Sequence, residues 1–343
     1  MRKLLNTLYV TTENAYASLD GENVVIKVGD EIRGRFPLHI LEGIYMFSYA
    51  GASPALIGKC VDQGIDLVFC TPNGRFLAKP AGRTKGNVLL RREQYRMADA
   101  PERTITIARN FIIGKVINEK HVLDRTLRDH PDRIDMEDFR KAMEELNGLI
   151  QSISEADSTD RLRGLEGAAA SIYFYRFDDM ILRGKGTFYF HERNRRPPLD
   201  PVNAMLSYVY MMLTSMCTSA LETVGLDPYV GFMHTDRPGR TSLALDLVEE
   251  LRPCLADRFV LSMINNGRIS GTDFEKQDSG AVILTDSGKK KLQKAWQERK
   301  QEKIEHPFLK EKIEWGLVPY AQAMLLARYV RGDLDGYPPF VWR

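Results

Sequence analysis

Thr104–Leu127, TITIARNFIIGKVINEKHVLDRTL, is where the character of the chain changes. From about Arg103 apolar residues recur every three to four positions, the period of a helix with one buried face. Before it they come in short runs bounded by turn residues. The stretch therefore divides the chain into a β-rich start and a helical remainder, and HPDRID from His130 breaks the helix.

Working upstream, residues 4–79 read as mostly strand. LLNTLYV, NAYASLD, NVVIKV and EIRGRFP are short β-rich segments, with Asp20-Gly21 and Gly29-Asp30 between them at hairpin spacing. HILEGIYMFS is a further strand. A short helix follows, capped by Ser53 with Pro54 in its first turn. IDLVFC is a strand, and Asn73-Gly74 marks a hairpin returning through RFLAKP. This region carries no nucleophile pair and no glycine-rich phosphate loop. The Gly-rich, basic stretch Gly82–Arg96 reads as a connection.

Downstream, MEDFRKAMEELNGLIQSISEA is a second helix, and the helical mode resumes after a Ser/Thr/Asp turn through RGLEGAAASIYFYRF. PVNAMLSYVYMMLTSMCTSALETVG is a long apolar helix closed by Gly225. Arg268–Leu284 reads as an irregular loop or small hairpin. A basic helix covers about Lys289–Glu305, a last helix Val318–Tyr329, and the tail GYPPFVWR is expected to be exposed. The fold class is α+β: an N-terminal mainly-β domain with one helix (1–85), a linker (86–101) and a C-terminal mainly-α domain (102–343).

The 343 residues suggest two domains, and 43% apolar with 27% charged content is ordinary for a globular protein. No run of about 18 apolar residues indicates a membrane span, and the start lacks a signal peptide's apolar core, so a cytoplasmic location is the default. Cys60, Cys70, Cys217 and Cys254 form no CxxC and read as buried free thiols. The net charge of +2 says little, but its distribution says more. Basic residues gather at Arg83–Arg96, at Arg183–Arg196 and at Lys289–Lys300, as on a surface that follows phosphates.

Candidate chemistry concentrates in YVGFMHTDRPGRTSLALDLVEELRPC, Tyr229–Cys254. His234 lies in a loop bounded by Gly and Pro. A helix follows, with Thr241 and Ser242 offering an N-cap and Pro253 ending it. Leu243, Leu247, Val248 and Leu251 share one face, and Asp246 and Glu249 stand about 60° apart on another. Alone, this is as well explained by a solvated acidic face. Glu166, between Gly164 and Gly167 and followed by three alanines, adds a third acid on a helix with little side-chain cover. One imidazole and two or three carboxylates suit Mn²⁺ or Mg²⁺.

GLEGAAASIYF, RNRRPPLDPVNAMLSYVYMML and VGFMHTDRPGRTSLALDLVEELRP occur in that order. Together they resemble the three hallmark segments of the CRISPR-associated spacer-acquisition integrase family, the first Cas protein. The start and length are most similar to the branch serving type I-C systems. The resemblance implies a β domain that dimerises and a helical domain holding one Mn²⁺ or Mg²⁺ through Glu166, His234 and Glu249, with Asp246 at or beside the metal. It implies joining of 3′-hydroxyl ends of a short duplex (the prespacer) into the CRISPR repeat, with cleavage when water replaces the hydroxyl. The implied partners are DNA and a dimer of a small second Cas protein, forming a heterohexamer-type complex. Arg193, Arg195, Arg196, Lys289, Lys290, Lys291 and Lys294 are the expected phosphate contacts, with Trp296 among them as either a DNA contact or a core residue. The competing readings are a standalone metal nuclease acting on branched DNA and a non-catalytic DNA-binding scaffold.

Overall fold

The computed structural model describes residues 5–72, 76–82 and 88–342. The Asn73-Gly74 hairpin and the basic residues Arg83 and Lys85 lie outside them. The fold is α+β, with strands first and helices after.

Two sheets form the start. β2 (Tyr16–Asp20), β3 (Asn23–Val28) and β4 (Glu31–Pro37) make an antiparallel meander. Its turns put Gly21 and Gly29 at φ 58° and 59°, where glycine carries no Cβ penalty. β1 (Asn6–Val10) skips this meander and pairs in parallel with β5 (Leu41–Met46). β5 pairs in parallel with β6 (Asp66–Cys70), and β7 (Phe76–Ala78) closes the edge antiparallel. The β5–β6 crossover is α1 (Pro54–Gln63), where the Ser53 hydroxyl accepts from Leu56 N–H and Gly64 ends the helix at φ 68°.

These strands and α1 share a core of their own, including Val24, Ile26, Ile44, Leu56 and Leu67. The other side of the four-stranded sheet, Tyr45, Phe47, Val68 and Cys70, packs directly into the helical core. Polar contacts bolt the seam: Tyr45 O–H donates to Ser215 Oγ (2.7 Å), and Lys79 pairs with Asp66 (2.8 Å) and Glu222 (2.6 Å).

Inside the expected linker, Val88–Ala98 forms helix α2, burying Leu90, Gln94 and Met97. The basic residues that made the stretch read as a connection occupy the helix's outer side, while every third or fourth position faces the core. α3 (Pro101–Asp129) is the long strut, and α4 (Met136–Ser154) and α5 (Thr159–Tyr175) lie against it. α4 and α5 begin at side-chain caps, Asp135 and Ser158. α6 (Pro201–Val224) starts at the Asp200 cap and ends at Gly225, φ 88°. It is long and apolar enough to cross a membrane, yet it is the central core helix, with Met205, Leu206, Val209 and Leu213 buried. All four cysteines are free and buried.

α7 (Ser242–Leu251) stops just before Pro253 as expected, but the chain does not leave the helical path there. Proline lacks the N–H that the next α-helical bond needs. The chain continues instead as a π-helical turn, Arg252–Asp257, into α8 (Arg258–Asn265). A small hairpin follows, β8 (Phe274–Lys276) with β9 (Val282–Leu284). Then come α9 (Asp286–Gln301), the hairpin β10 (Lys303–Glu305) with β11 (Lys312–Glu314), and α10 (Val318–Val330).

The tail from Gly336, expected to be exposed, is buried: Tyr337 is 2%, Phe340 0% and Trp342 8% exposed. Three aromatic rings in seven residues bury too much apolar surface to stay in water. Trp342 lies under the Arg258 guanidinium, 4.1 Å from the ring centroid.

Candidate active site where α3, α5 and α7 meet

The solvated acidic face considered for α7 does not exist. Asp246, Glu249 and Glu250 are all buried. Three buried carboxyls on one helix need three sets of partners, and each set is different.

Asp246 is consumed by the loop before it. Oδ2 accepts from Phe232 N–H (2.6 Å) and Met233 N–H (3.0 Å), and Oδ1 from His234 N–H (2.9 Å). Oδ1 also lies 2.7 Å from His234 Nδ1. A carboxylate offers about four acceptor positions, so this one is saturated. Because a carboxylate only accepts, Nδ1 carries the hydrogen, and Nε2 is the ring nitrogen left unbonded to Asp246. The ring thereby turns Nε2 toward Glu249, 4.0 Å from Oε1. Gly231 permits this: a Cβ there would meet His234 O and Ser242 Cβ at 2.8 Å and Asp246 Oδ2 at 3.0 Å. Gln94 of α2 braces the same loop, donating to Asp227 O (2.8 Å) and Val230 O (2.9 Å) and accepting from Asp227 N–H (2.9 Å).

Glu249 is matched by cations. Arg252 Nη2 lies 2.9 Å from Oε1, and Lys115 Nζ 2.9 Å from Oε2. Burial, the largest influence, pushes its carboxyl up, but Arg252, Lys115 and His234 together hold it well below the usual carboxylate range. The Lys115 contact is an ion pair without hydrogen-bond alignment, and Oε2 accepts no hydrogen bond among the described residues. Lys115 also pairs with Glu166 Oε1, whose side chain is 27% exposed. The ammonium thus joins α5 to α7 from α3.

Of the residues that sequence reasoning grouped, His234 contacts Asp246 and lies near Glu249, and Glu166 joins them only through Lys115. Sequence reasoning missed Lys115 and Glu119, which stand where solvent-facing charges would be expected but are buried. Burial lifts the Glu119 carboxyl to about 8, against the pull of Lys115. The signal was present: Phe111, Lys115, Glu119 and Val122 follow each other at steps of four, four and three, so both charges lie on the apolar stripe. The π-helical turn adds Arg252, over the Tyr210 ring at 4.7 Å, and Asp257, which accepts from Tyr210 O–H (2.6 Å). Burial pushes Asp257 up to about 6.

As a metal centre the residues are not drawn around one point. Among the described residues no three His, Cys, Asp or Glu side chains stand together closely enough to hold an ion, and the Lys115 ammonium lies between two of the expected ligands. The donor set nonetheless fits a hard divalent cation. It has one imidazole nitrogen not engaged by Asp246, two carboxylates, one buried carboxylate oxygen without a hydrogen bond, and a positive charge already held between the acids.

The expected phosphate contacts divide. Arg195 and Arg196 are exposed. Arg193 turns inward, donating to Asn203 Oδ1 (2.6 Å) and Ser207 Oγ (3.1 Å) beside Tyr210. Lys290 and Lys294 are exposed, and Lys291 pairs with Asp273 at 2.8 Å. Lys289 is buried, donating to Pro72 O at 2.6 Å, and Trp296 is a fully buried core residue edge-on to Phe259. The basic stripe of α9 was expected on one surface. One side of it instead fills the seam with the strand region, where Lys289 meets Pro72 O, Gln297 meets Thr7 O and Lys300 meets Glu42, while Leu292, Ala295 and Trp296 pack into the helical core.

The family model described as CRISPR associated protein Cas1 matches residues 8–298. The chain is 51% identical over 343 residues, all of both chains, to CRISPR-associated endonuclease Cas1 1 of Chlorobaculum tepidum. It is similar in structure to a casposase bound to integration product, with TM-score 0.85 and 23% identity over 99% of this chain and 95% of that one. A Cas6-RT-Cas1–Cas2 complex gives TM-score 0.82 and 23% identity, over all of this chain and 36% of the other. At such identities the structural likenesses speak to the fold.

Proposed function

This chain belongs to the Cas1 family of CRISPR-associated endonucleases, and on that premise we propose that the α3–α5–α7 crossing carries out metal-dependent phosphoryl transfer on DNA, joining 3′-hydroxyl ends into a target strand. The observation that carries the reading is the saturated Asp246. It fixes Nδ1 of His234 as the donor and leaves Nε2 aimed at a carboxylate that Arg252 and Lys115 keep ionised.

Glu166, His234 and Glu249 are the proposed ligands of Mg²⁺ or Mn²⁺, and Asp246 is a positioning residue that fixes the His234 tautomer. A divalent ion there would supply Lewis-acid polarisation of a phosphate and a lowered pKa for the attacking hydroxyl. Arg252 holds Glu249 in place and Tyr210 holds Asp257. Nothing lies within 4 Å of where Cβ atoms would stand at Gly164 and Gly167, so a DNA backbone can come close to Glu166. Arg195 and Arg196, and Lys290 and Lys294, are the proposed phosphate contacts. Lys291 is a weaker candidate because Asp273 engages it.

That the casposase sharing this fold is bound to an integration product, and that another neighbour is a Cas1–Cas2 complex, supports the integration reading with a Cas2 partner. The exposed Ile32 on the edge strand β4 and Phe76 and Leu77 on the edge strand β7 support dimerisation through the strand region. Assignment to the type I-C branch and a cytoplasmic site of action belong to the same proposal.

The test is incubation of purified protein and its small partner with labelled 3′-hydroxyl duplex, repeat DNA and Mn²⁺. Strand joining is expected, with cleavage at lower efficiency. His234→Ala is expected to lose both while keeping DNA affinity, and full activity in that variant would overturn the site.

A further inference from the structure

Lys115 is 2% exposed and Glu119 1%, and neither has a role in the reaction as proposed. A fully buried lysine must be paired to offset the loss of its hydration. Here the ammonium stands between Glu166 of α5 and Glu249 of α7, with Arg252 on the far side of Glu249. Both acids it neutralises are proposed ligands, so lysine and metal claim the same negative charge. One helical turn further along α3, Glu119 lies on the same stripe as Lys115. Its Oε2 is buried and accepts no hydrogen bond among the described residues. The lysine stem has four rotatable carbons and can change partner without backbone movement.

We propose that Lys115 is the resident cation of the metal-free site, bridging Glu166 and Glu249 until a divalent ion enters, and that Glu119 receives the displaced ammonium. Lys115 keeps the two acids close before loading, when their mutual repulsion would otherwise open the α5–α7 gap. It also opposes binding, because an ion must take both carboxylates from it. Glu119 lowers that opposition by offering a second buried carboxyl, which gives up its proton as the ammonium reaches it. This rests on the metal site proposed above.

The experiment is Mn²⁺ titration by calorimetry, with thermal unfolding in chelator, on the full chain. Lys115→Met should bind Mn²⁺ roughly ten-fold tighter and unfold at a lower temperature without metal, a size suited to one desolvated charge pair. Glu119→Gln should bind several-fold more weakly, roughly one displaced hydrogen-bonded charge. The double variant should match Lys115→Met, since Glu119 acts only through the lysine. Lys115→Arg keeps the charge and should remain near the wild type in affinity and stability. Unchanged or weaker binding by Lys115→Met overturns the inference, as does a Glu119→Gln effect that persists in the double variant. If Lys115→Met folds only with Mn²⁺ present, the ion is replacing the ammonium as inferred. If it folds in neither condition, ¹⁵N-lysine spectra of the wild type decide: the resonance absent from Lys115→Arg should shift on adding Mg²⁺, and no shift overturns the inference. Absence of any wild-type Mn²⁺ binding that is lost in His234→Ala would instead defeat the metal site itself.

Discussion

Glu249 and Glu250 are neighbours on α7, both buried, and they are stabilised in opposite ways. Glu249 faces α3 and α5 and is neutralised by the cations Arg252 and Lys115. Glu250 faces α10 and the tail and meets only neutral donors. These are Tyr337 O–H (2.6 Å) and Gln322 Nε2 (2.9 Å) on Oε1, and Phe340 N–H (2.8 Å) on Oε2. Burial pushes the Glu250 carboxyl up to about 7, although those three donors pull the other way. A cation beside a carboxylate can be exchanged for another cation. A backbone N–H and a tyrosine hydroxyl from the chain's own tail cannot. The first environment suits a site that takes up charge. The second suits a clamp, and Asn118 extends it by donating to Glu250 O (2.7 Å) and Phe340 O (2.8 Å). Gly114 leaves room for it: a Cβ there would press on Pro339 and Glu250 at 3.0 and 3.2 Å.

Substituting each acid should break this contrast most sharply. Glu249→Gln should lower DNA cleavage by about 1,000-fold, the scale of losing a group that works on developing charge. Glu250→Ala strands three buried donors, and at roughly 1–3 kcal/mol each should destabilise the protein by about 3 kcal/mol or more. Urea unfolding read beside the cleavage assay separates them. Removing the tail from Tyr337 should reproduce the Glu250→Ala loss. If Glu250→Ala is as stable as the wild type, the clamp is not a clamp.

A smaller effect follows from titration. A carboxyl whose pKa is raised in the folded state binds a proton there more readily than when unfolded. Its stabilising contribution is full below the unfolded value, near 4.5 for Glu250, and is lost as pH rises through about 7. Glu119, at about 8, and Asp257, at about 6, act in the same direction. Metal-free protein should therefore lose stability from pH 5 to pH 8. Glu250→Gln, uncharged throughout, should show a shallower slope although it is less stable at pH 5. Glu249 works the other way, but only below its usual range, so it leaves this window untouched. Equal slopes in the two proteins would place the Glu250 titration outside the window.

What the bare sequence disclosed follows the same division. Local physics was readable: the cap at Ser53, the glycine close of the long apolar helix at Gly225, and the change of period after Arg103. The histidine loop and its acids were readable because their order along the chain carries the resemblance. Partners supplied from far away were not. α2 looked like a linker because basic residues mask its apolar stripe, yet Gln94 braces the histidine loop. The tail looked free because GYPPFVWR is too short to show a period, and its partner Glu250 lies 90 residues from Phe340. Lys115 looked solvated because charge is read as surface unless its place on the stripe is checked.

The gentlest test takes the contrast to α9, whose lysines divide as the two glutamates do. Lys289 and Lys300 are buried ties to the strand region, Lys300 pairing with Glu42 at 2.5 Å and donating to Thr7 Oγ1 at 3.0 Å. Lys290 and Lys294 point away and are exposed. Lys300→Ala leaves Glu42 without its cation, and should destabilise the protein by about 2 kcal/mol in urea while changing DNA affinity little in the folded protein. Lys290→Ala with Lys294→Ala should alter stability by no more than about 0.5 kcal/mol. That pair should instead reduce the slope of log affinity against log salt by roughly one to two, if each lysine meets a phosphate. An unchanged slope would remove this face of α9 from the DNA path and leave the helix as a bracket between the two halves of the chain.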